Sequence, residues 1–232
     1  MIMGAWGLGR KRGWTNPYVT DGLVAMWDGE WNAGGGVHDA AATVWADLSG
    51  NGYDATVSIG TWEADGLNGG ESVNQCWTVV SKSMAGADVA HVEFVLSGFR
   101  MATWATICHL GGRARCPTFN VNSRFEPTAG YLPFYNYPDL STSHRIVDGV
   151  FAVDYNISKA WHNGTEMGVK EGSQYSIYPS NFIVAAGLVR NSSVSGYLNG
   201  GKICRLAAYS RSLTADEIAA NYSVDKQRFN LP

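Results

Sequence analysis

Hydrophobic and polar residues alternate with a period of two in several short segments, which glycine-rich turns separate. The clearest lies at residues 90–96, where Val92 and Phe94 alternate with His91 and Glu93. Residues 104–108 and 151–155 have a similar pattern, which is typical of half-buried strands. Residues 182–187 form a continuous apolar run, which favours a central strand. The pattern predicts an antiparallel, mainly β protein.

Two local signals fix a turn and a helix. Asn163-Gly164 lies between two strand-like runs in residues 160–167 and predicts a tight hairpin with a type I′ turn. Thr214 and Glu217 form a capping box, which predicts a helix over residues 215–229. Apolar residues recur along one face of that helix: Ile218, Tyr222 and Phe229.

The middle of the chain, residues 111–144, is rich in proline, arginine and aromatic residues. Prolines disfavour an ordinary central strand, so this part is predicted to form long loops on one rim. Its aromatic residues either pack beneath those loops or form a binding surface. The members of this cluster are Tyr131, Phe134, Tyr135 and Tyr137, around Pro133 and Pro138.

Composition agrees with one domain rich in turns. The chain has 232 residues, 28 glycines, 9 tryptophans and a net charge of −3. One β sandwich commonly takes this length. The tryptophans suit either a core or stacking on sugar rings. The slightly acidic balance argues against a nucleic-acid partner, and no apolar run is long enough to insert in a membrane.

Residues 1–20 are predicted to form an N-terminal arm, followed by one domain over residues 21–232. The arm has no regular period, yet it carries Trp6 and Trp14, which favours docking on a partner or on its own domain. It lacks the apolar stretch of a secretory signal, which predicts synthesis in a cytoplasm and release by lysis or within a particle.

Four cysteines are present: Cys76, Cys108, Cys116 and Cys204. None forms a C-x-x-C pair, so a zinc site has little support. Free buried thiols are expected, with a Cys108–Cys116 bridge as the alternative.

The run D-L-S-G-N-G-Y-D-A at residues 47–55 carries three side chains that can ligate a hard cation: Asp47, Asn51 and Asp54. Oxygen ligands on a tight loop suit calcium. The same side chains can instead brace a turn by hydrogen bonds to the backbone.

A second segment adds to this loop. Residues 200–218 read G-G-K-I-C-R-L-A-A-Y-S-R-S-L-T-A-D-E-I, a strand-like run that ends in a turn before the predicted helix. With the loop at 47–55 and the opening G-L-V-A-M-W at 22–27, it resembles the LamG-like jelly rolls of the concanavalin A-like lectin and glucanase superfamily. Phages and prophages of gut bacteria encode proteins of this kind. The resemblance covers residues 21–222 and implies a two-sheet antiparallel jelly-roll sandwich with one C-terminal helix.

The resemblance also implies calcium near the loop, at Asp47, Asn51 and Asp54. One departure weakens that implication. The closing strand of the family carries I-D-E where this chain has Ile203-Cys204-Arg205, so a thiol and a cation replace two acids.

Three classes of function are considered: a recognition domain, a structural virion protein and a glycan-cleaving enzyme. A glycosidase of this superfamily would place its acids in one strand of the form E-x-D-x-(x)-E, and no such strand is present. Glu93 stands alone, Glu63 pairs only loosely with Asp65, and the Asp28–Glu30 pair is better interpreted as a turn. The five histidines lie scattered, with no G-x-S-x-G elbow. The sequence therefore predicts binding without turnover, with a glycan-cleaving enzyme as the weaker alternative.

The favoured function is recognition of a glycan or other host cell-surface polymer, as a decoration, fibre or tail-associated part of a phage virion. A bacterial surface glycan-binding protein is the alternative, and a homo-oligomer is compatible with either. The arm would contact other virion proteins. Two groups of residues are predicted to bind the ligand: Tyr131, Tyr135 and Tyr137 in the middle segment, and Trp161 and His162 on the hairpin.

Overall fold

A computed structural model describes residues 13–69, 78–80, 88–100, 104–108, 116–120, 124–128, 134–136, 146–170, 188–190, 193–195 and 201–231. Eighteen strands and one helix occur in these parts of the chain. The strands are β1 Leu23–Asp28, β2 Val44–Trp45, β3 Ala55–Val57, β4 Thr61–Glu63, β5 Gly66–Asn68, β6 Thr78–Val80, β7 His91–Arg100, β8 Trp104–Thr106, β9 Cys116–Asn120, β10 Arg124–Thr128, β11 Phe134–Asn136, β12 Ile146–Asp154, β13 Lys159–His162, β14 Thr165–Glu166, β15 Val169–Lys170, β16 Leu188–Arg190, β17 Ser193–Ser195 and β18 Lys202–Tyr209; the helix is α1, Ala215–Arg228.

The chain forms an antiparallel jelly-roll sandwich, as the sequence predicted. Its main sheet has eight strands in the order β14-β13-β12-β7-β18-β5-β4, and β1 also pairs with β18. Strand β18 is central: β7 lies along one edge, and β5 and then β1 share the other. The predicted strands at 90–96, 104–108 and 151–155 correspond to β7, β8 and β12, whereas the one predicted at 182–187 lies outside the described residues.

The two faces of the main sheet bury different kinds of residue. One face packs into the inner core, which includes Trp27, Phe94, Phe151 and Leu206. Phe94 and Phe151 stack there with ring centroids 5.3 Å apart. The opposite, helix-side face is covered by α1 and by residues near the start of the described chain. Strand alternation with a period of two therefore sets what each face contacts.

A five-stranded sheet, β15-β11-β10-β9-β8, runs through the middle segment. The prediction of long loops across residues 111–144 was therefore wrong in part. Pro117 and Pro127 occupy facing positions in the β9–β10 pair. Pairing of β9 with β8 ends at Thr118, and pairing of β10 with β11 ends at Phe125. The missing N–H groups of the two prolines thus fall where the neighbouring ladders have already stopped.

Helix α1 begins as the sequence predicted. Thr214 caps it and accepts a hydrogen bond from the Glu217 backbone N–H, while the Glu217 side chain accepts one from the Thr214 N–H. Ile218 is buried on the helix-side face, and Tyr222 and Phe229 are partly buried. No helix in the described parts of the chain is long and apolar enough to span a bilayer.

Part of the predicted N-terminal arm belongs to the packed domain. Tyr18 is 4 % exposed, and its hydroxyl donates to Asp225 Oδ1 of α1 at 2.7 Å. The ring of Trp14 contacts the ring of Trp31 edge-on, with centroids 5.2 Å apart. Residues 13–20 therefore lie on their own domain, whereas Trp6 falls outside the described residues.

Cys204 is a buried free thiol, as expected, and Cys108 is also buried. Cys76 lies outside the described residues.

Candidate functional site

The structure separates the residues predicted to bind a ligand. Tyr131 and Tyr137 lie outside the described residues. Tyr135 lies in β11, where its backbone pairs with Val169 of β15. Strand β15 follows the β13–β14 hairpin after only two residues, so Tyr135 and the hairpin are neighbours along one edge of the fold.

Trp161 and His162 do not form one patch, which corrects the prediction. They are consecutive in β13, so they lie on opposite faces of the main sheet. Trp161 is 8 % exposed and packs with the helix-side cluster. His162 stacks on Phe151, whose ring centroid is 4.5 Å away, on the side of the inner core. Trp161 is therefore a core residue, and His162 remains a candidate for ligand contact.

His162 belongs to a small polar site at the end of the main sheet, which we call the hairpin rim: Gly98, Asp148, Gly149, His162 and Asn163. The imidazole Nε2 lies 3.1 Å from the carbonyl oxygen of Asp148. Asn163 Oδ1 accepts a hydrogen bond from the Val150 N–H at 3.0 Å. The exposed carboxylate of Asp148 accepts from the Gly98 N–H.

A bulge in β12 creates this arrangement. The register between β12 and β7 shifts between Val147 and Gly149, and Gly149 has φ +118°. A Cβ atom there would lie 2.5 Å from Asn163 Oδ1 and 2.9 Å from His162 Nε2. Only glycine lets the hairpin approach the bulge this closely. On the other side, Asn163 (φ 49°) and Gly164 (φ 74°) form the predicted left-handed turn.

The surroundings of His162 favour its neutral imidazole. Burial lowers its pKa below the ordinary value, more than the contact with the Asp148 carbonyl raises it. Because that carbonyl can only accept, Nε2 carries the proton and Nδ1 is the acceptor nitrogen. The hairpin rim thus holds a flat, uncharged ring, fixed on Phe151, beside an exposed carboxylate. Such a surface can bind a polar ligand by stacking and hydrogen bonds.

The loop at 47–55 has the geometry of a braced turn. Asp47 Oδ1 accepts hydrogen bonds from the N–H groups of Met26 and Ser49. Asp47 Oδ2 accepts from the Ser49 hydroxyl and the Tyr53 N–H. The loop is thereby fastened to β1.

The other two predicted calcium ligands also serve the backbone. Asn51 Nδ2 donates to the carbonyl oxygens of Leu23 and Val24, at 3.1 and 2.8 Å. Asp54 Oδ1 accepts from the Asp47 N–H at 2.8 Å. No group of three or more His, Cys, Asp or Glu side chains suited to a metal occurs in the described residues. This donor set fits a braced turn better than a calcium ion, and calcium at Asp47, Asn51 and Asp54 stays a prediction.

A buried ionic network lies on the helix-side face, and no local sequence pattern predicts it. Arg205 is fully buried, and its Nε and Nη2 atoms donate to Asp225 while Nη2 also donates to Glu93. A register shift at Cys204 in β18 places Cys204 and Arg205 on the same side of the sheet. The cation that replaces a family acid is therefore neutralised by Glu93 of β7 and Asp225 of α1.

The network continues to a histidine. His91 is 0 % exposed and lies 3.3 Å from Asp154 Oδ2 and 3.5 Å from Glu93 Oε1. Burial alone would lower the pKa of His91, but the two carboxylates raise it above the ordinary value. Ser212 Oγ donates to Asp154 rather than to His91. Ser212, Asp154 and His91 are thus in contact, but the aspartate lies between the other two. The histidine therefore cannot activate the serine hydroxyl as a nucleophile.

The remaining acid pairs named in the sequence are held by cations. Arg228 donates to both Asp28 and Glu30. The Lys202 ammonium contacts Glu63 at 3.2 Å and Asp65 at 2.6 Å. Neither pair has the two open carboxylates that flank a glycosidic bond in a glycosidase.

Comparison with known proteins bears on the fold alone. No protein-family model and no curated protein matches the chain. Among solved structures, a mutant of Trypanosoma rangeli sialidase displaying trans-sialidase activity is 15 % identical, with a TM-score of 0.56 over 89 % of this chain and 33 % of that one. Trypanosoma rangeli sialidase in complex with 2,3-difluorosialic acid is 13 % identical, with a TM-score of 0.55 over 98 % of this chain and 36 % of that one. The chain spans about a third of the length of these sialidases.

Proposed function

We propose that this protein is a non-catalytic recognition domain that binds a glycan or another cell-surface polymer through the hairpin rim. The observation that carries the proposal is the imidazole of His162, which stacks on Phe151 and contacts the Asp148 backbone carbonyl, with the exposed Asp148 carboxylate on the same rim. A sugar has one apolar ring face and a periphery of hydroxyl groups. An aromatic plate beside hydrogen-bonding groups matches both.

Two further observations support recognition. The jelly-roll fold is shared with solved sialidases, one of which is described with a sialic acid derivative bound. In addition, Tyr135 lies on a strand whose neighbour, β15, follows the hairpin directly. Tyr131 and Tyr137 flank that strand in sequence, and both stay predicted ligand contacts.

The absence of turnover is part of the proposal. In the described residues, Asp28 and Glu30 are paired with Arg228, and Glu63 and Asp65 with Lys202. Glu93 is buried beneath α1. These groups therefore provide a substrate with neither a free pair of acids nor an activated serine.

We further propose a place in a phage virion, as a decoration, fibre or tail-associated protein. The support is the resemblance to LamG-like proteins of phages and the tryptophan-bearing N-terminal segment. Mass spectrometry of purified particles tests this directly. If the protein is absent from particles that infect normally, the alternative of a bacterial surface glycan-binding protein would remain.

The binding proposal is tested on a glycan array and on host cells with the parent protein, His162→Ala and Tyr137→Ala. Stacking contributes only about 0.5–1.5 kcal/mol per contact, so a monomer should bind weakly and a multimer about a hundredfold better or more. We expect both variants to bind less well. Unchanged binding by both would remove this site, and release of sugar from a polysaccharide by the parent would overturn the non-catalytic assignment.

A matched control keeps the result specific. Lys159→Gln changes a half-exposed side chain on the same strand, β13, away from the rim. It should bind like the parent. The melting temperature of each variant is also measured. A variant that melts like the parent but binds less well has lost binding and not its fold.

A further inference from the structure

Residues 13–20, which we call the strap, lie on the helix-side face and belong to no strand of the described chain. The Tyr18 hydroxyl donates to Oδ1 of Asp225 at 2.7 Å. The Val19 N–H donates to Oδ1 of Asn221 at 3.0 Å. Both acceptor residues lie on α1 and are at most 1 % exposed. These contacts fasten the strap to side chains of the helix and not to a strand ladder.

The other end of the strap is held by an aromatic ring that covers a glycine. Trp14 meets Trp31 edge-on, with ring centroids 5.2 Å apart. Gly35 lies beneath the same indole, since an added Cβ there would be 2.3 Å from Cε3 of Trp14. Together with the two acceptors on α1, these groups form a shaped site, which we call the seat: Trp31, Gly35, Asn221 and Asp225.

One turn connects the strap to β1. The Leu23 N–H donates to the carbonyl oxygen of Thr20 at 3.1 Å, and Gly22 between them has φ +74°. Glycine changes readily between this conformation and an extended one. Straightening the turn would therefore release the strap without breaking a strand pair of the main sheet. Short connections of this kind favour the exchange of an element between copies.

We propose that the strap is exchanged between copies of this chain, so that residues 13–20 of one copy occupy the seat of another. The contacts in an exchanged seat would be the same as in the closed monomer, so exchange costs chiefly the entropy of association. That cost falls when copies are held side by side, because the effective concentration then reaches about the millimolar range. The inference goes beyond the proposed function, since it concerns assembly and needs no glycan.

The strap carries no charge, which removes one obstacle to exchange. Its residues read G-W-T-N-P-Y-V-T. The charged groups beside the strap are paired within the domain: Asp225 with Arg205, and Asp28 with Arg228. A strap that leaves therefore takes no member of an ion pair with it. Pro17 has a fixed φ and restricts the residue before it to extended backbone, so a released strap loses little conformational freedom when it enters a second seat.

Two variants that fit each other test the exchange. Trp14→Ala leaves the seat underfilled, and Gly35→Ala narrows the seat against the indole. Neither variant closes well on itself. In a mixture, exchange places the indole of one copy over the unchanged glycine of the other, and the truncated strap in the narrowed seat. Both poor fits are thus relieved at once, and only by exchange.

Sedimentation and native mass spectrometry measure association, without ligand, for each variant, for the mixture and for the parent. We expect the mixture to form mixed dimers about tenfold more tightly than either variant forms its own, and to melt above both. Trp14→Ala mixed with Gly52→Ala is the control and should show no gain, because the added Cβ at Gly52 has nothing within 4 Å and lies away from the seat.

A measurement on the parent serves if Gly35→Ala does not fold. Isotope-labelled and unlabelled parent are incubated together at about 1 mM, where effective concentrations of linked copies also lie. Exchange predicts dimers of mixed mass, which Trp14→Ala forms to a smaller extent. Species of a single mass alone would overturn the exchange.

The outcomes separate this inference from the proposed function. A mixture of variants that stays monomeric, with each component melting as it does alone, would show that every strap closes on its own domain. Equal association of each variant by itself would place the interface elsewhere, which also overturns the exchange. Glycan binding is measured in a different assay, so failure of the hairpin rim as a site leaves the strap exchange standing, and the reverse holds as well.

Discussion

Arg205 of the central strand and Asp225 of the helix form a two-bond ion pair in which both side chains are fully buried, with Nε 2.8 Å from Oδ1. Tyr18 donates to the same carboxylate from the start of the described chain, and its ring lies 4.3 Å from the guanidinium carbon. One carboxylate thus joins the closing strand, the helix and residues 13–20.

Removing one member of this pair should be costly. Asp225→Asn leaves the buried Arg205 cation with Glu93 alone, and we expect a loss of about 3–5 kcal/mol in the free energy of unfolding. Urea denaturation measures it. Glu217→Gln, which breaks the more exposed pair with Arg211, should cost no more than about 1 kcal/mol. The double variant Arg205→Met with Asp225→Leu should be more stable than Asp225→Asn, and an equal loss would contradict this account.

Stability should fall as the pH rises from the acidic to the alkaline range. Burial raises the pKa of Asp225 to about 6, above the unfolded value of about 3.9, so ionising it between these values costs stability. The raised pKa of His91 stabilises the fold below about pH 6.5 and is lost as the pH passes through the folded value. Glu93 has a lowered pKa and acts in the opposite sense, with stability lost below about pH 4.3.

We therefore expect the urea midpoint to be highest near about pH 5 and to fall toward alkaline pH. The charged and titratable groups that face His91 are Glu93 and Asp154, with the Tyr209 ring 5.9 Å away. His91→Gln should flatten the profile above about pH 6.5. A variant profile as steep as that of the parent would assign the pH dependence to other groups.

The loop at 47–55 should matter for stability through hydrogen bonds. Asp47→Ala removes the acceptor of three backbone N–H groups and one hydroxyl, and we expect a loss of about 1–3 kcal/mol. The braced turn predicts the same loss in calcium and in chelator. If chelator lowers the melting temperature of the parent and calcium restores it, the calcium site predicted from the sequence is the better account.

The close approach at the hairpin rim offers a matched pair of glycine variants. Gly149→Ala forces a methyl group against Asn163 and His162, so it should weaken binding on the glycan array and lower the melting temperature. Gly52→Ala, in the loop at 47–55 and away from the rim, also changes a glycine of positive φ, but nothing lies within 4 Å of its added Cβ. It should bind like the parent. Equal loss of binding in both variants would show that backbone strain, and not the position of His162, is responsible.

The sequence predicted the features that depend on neighbouring residues. The capping box at Thr214 and Glu217 and the turn at Asn163-Gly164 are decided within four residues, and the structure has both. The β sandwich was predicted from the alternation of apolar and polar residues together with the resemblance to LamG-like jelly rolls. Trp161 was misassigned because alternation gives two faces but does not say which one is covered by a helix.

The buried network could not be predicted in the same way. Glu93 and Arg205 are 112 residues apart in the sequence, and each looks like an ordinary charged residue locally. The polar residues Asn221 and Asp225 lie on the buried face of α1, against the usual pattern of an amphipathic helix. The strands β9 and β10 were missed because each proline was weighed alone, whereas both prolines fall where the pairing with the neighbouring strands has ended.

The pairing of β1 with β18 has a mechanical consequence. Leu23 pairs with Tyr209, so the ends of these strands through which tension would pass lie side by side. Pulling there would break the ladder bonds one after another rather than all at once. Tyr18 contacts Asp225, and Arg228 contacts Asp28. These contacts would have to break before the force reaches the β1–β18 pair. We expect Asp225→Asn to unfold at a lower force than the parent in single-molecule pulling, because the contact that protects the β1–β18 pair is then weakened.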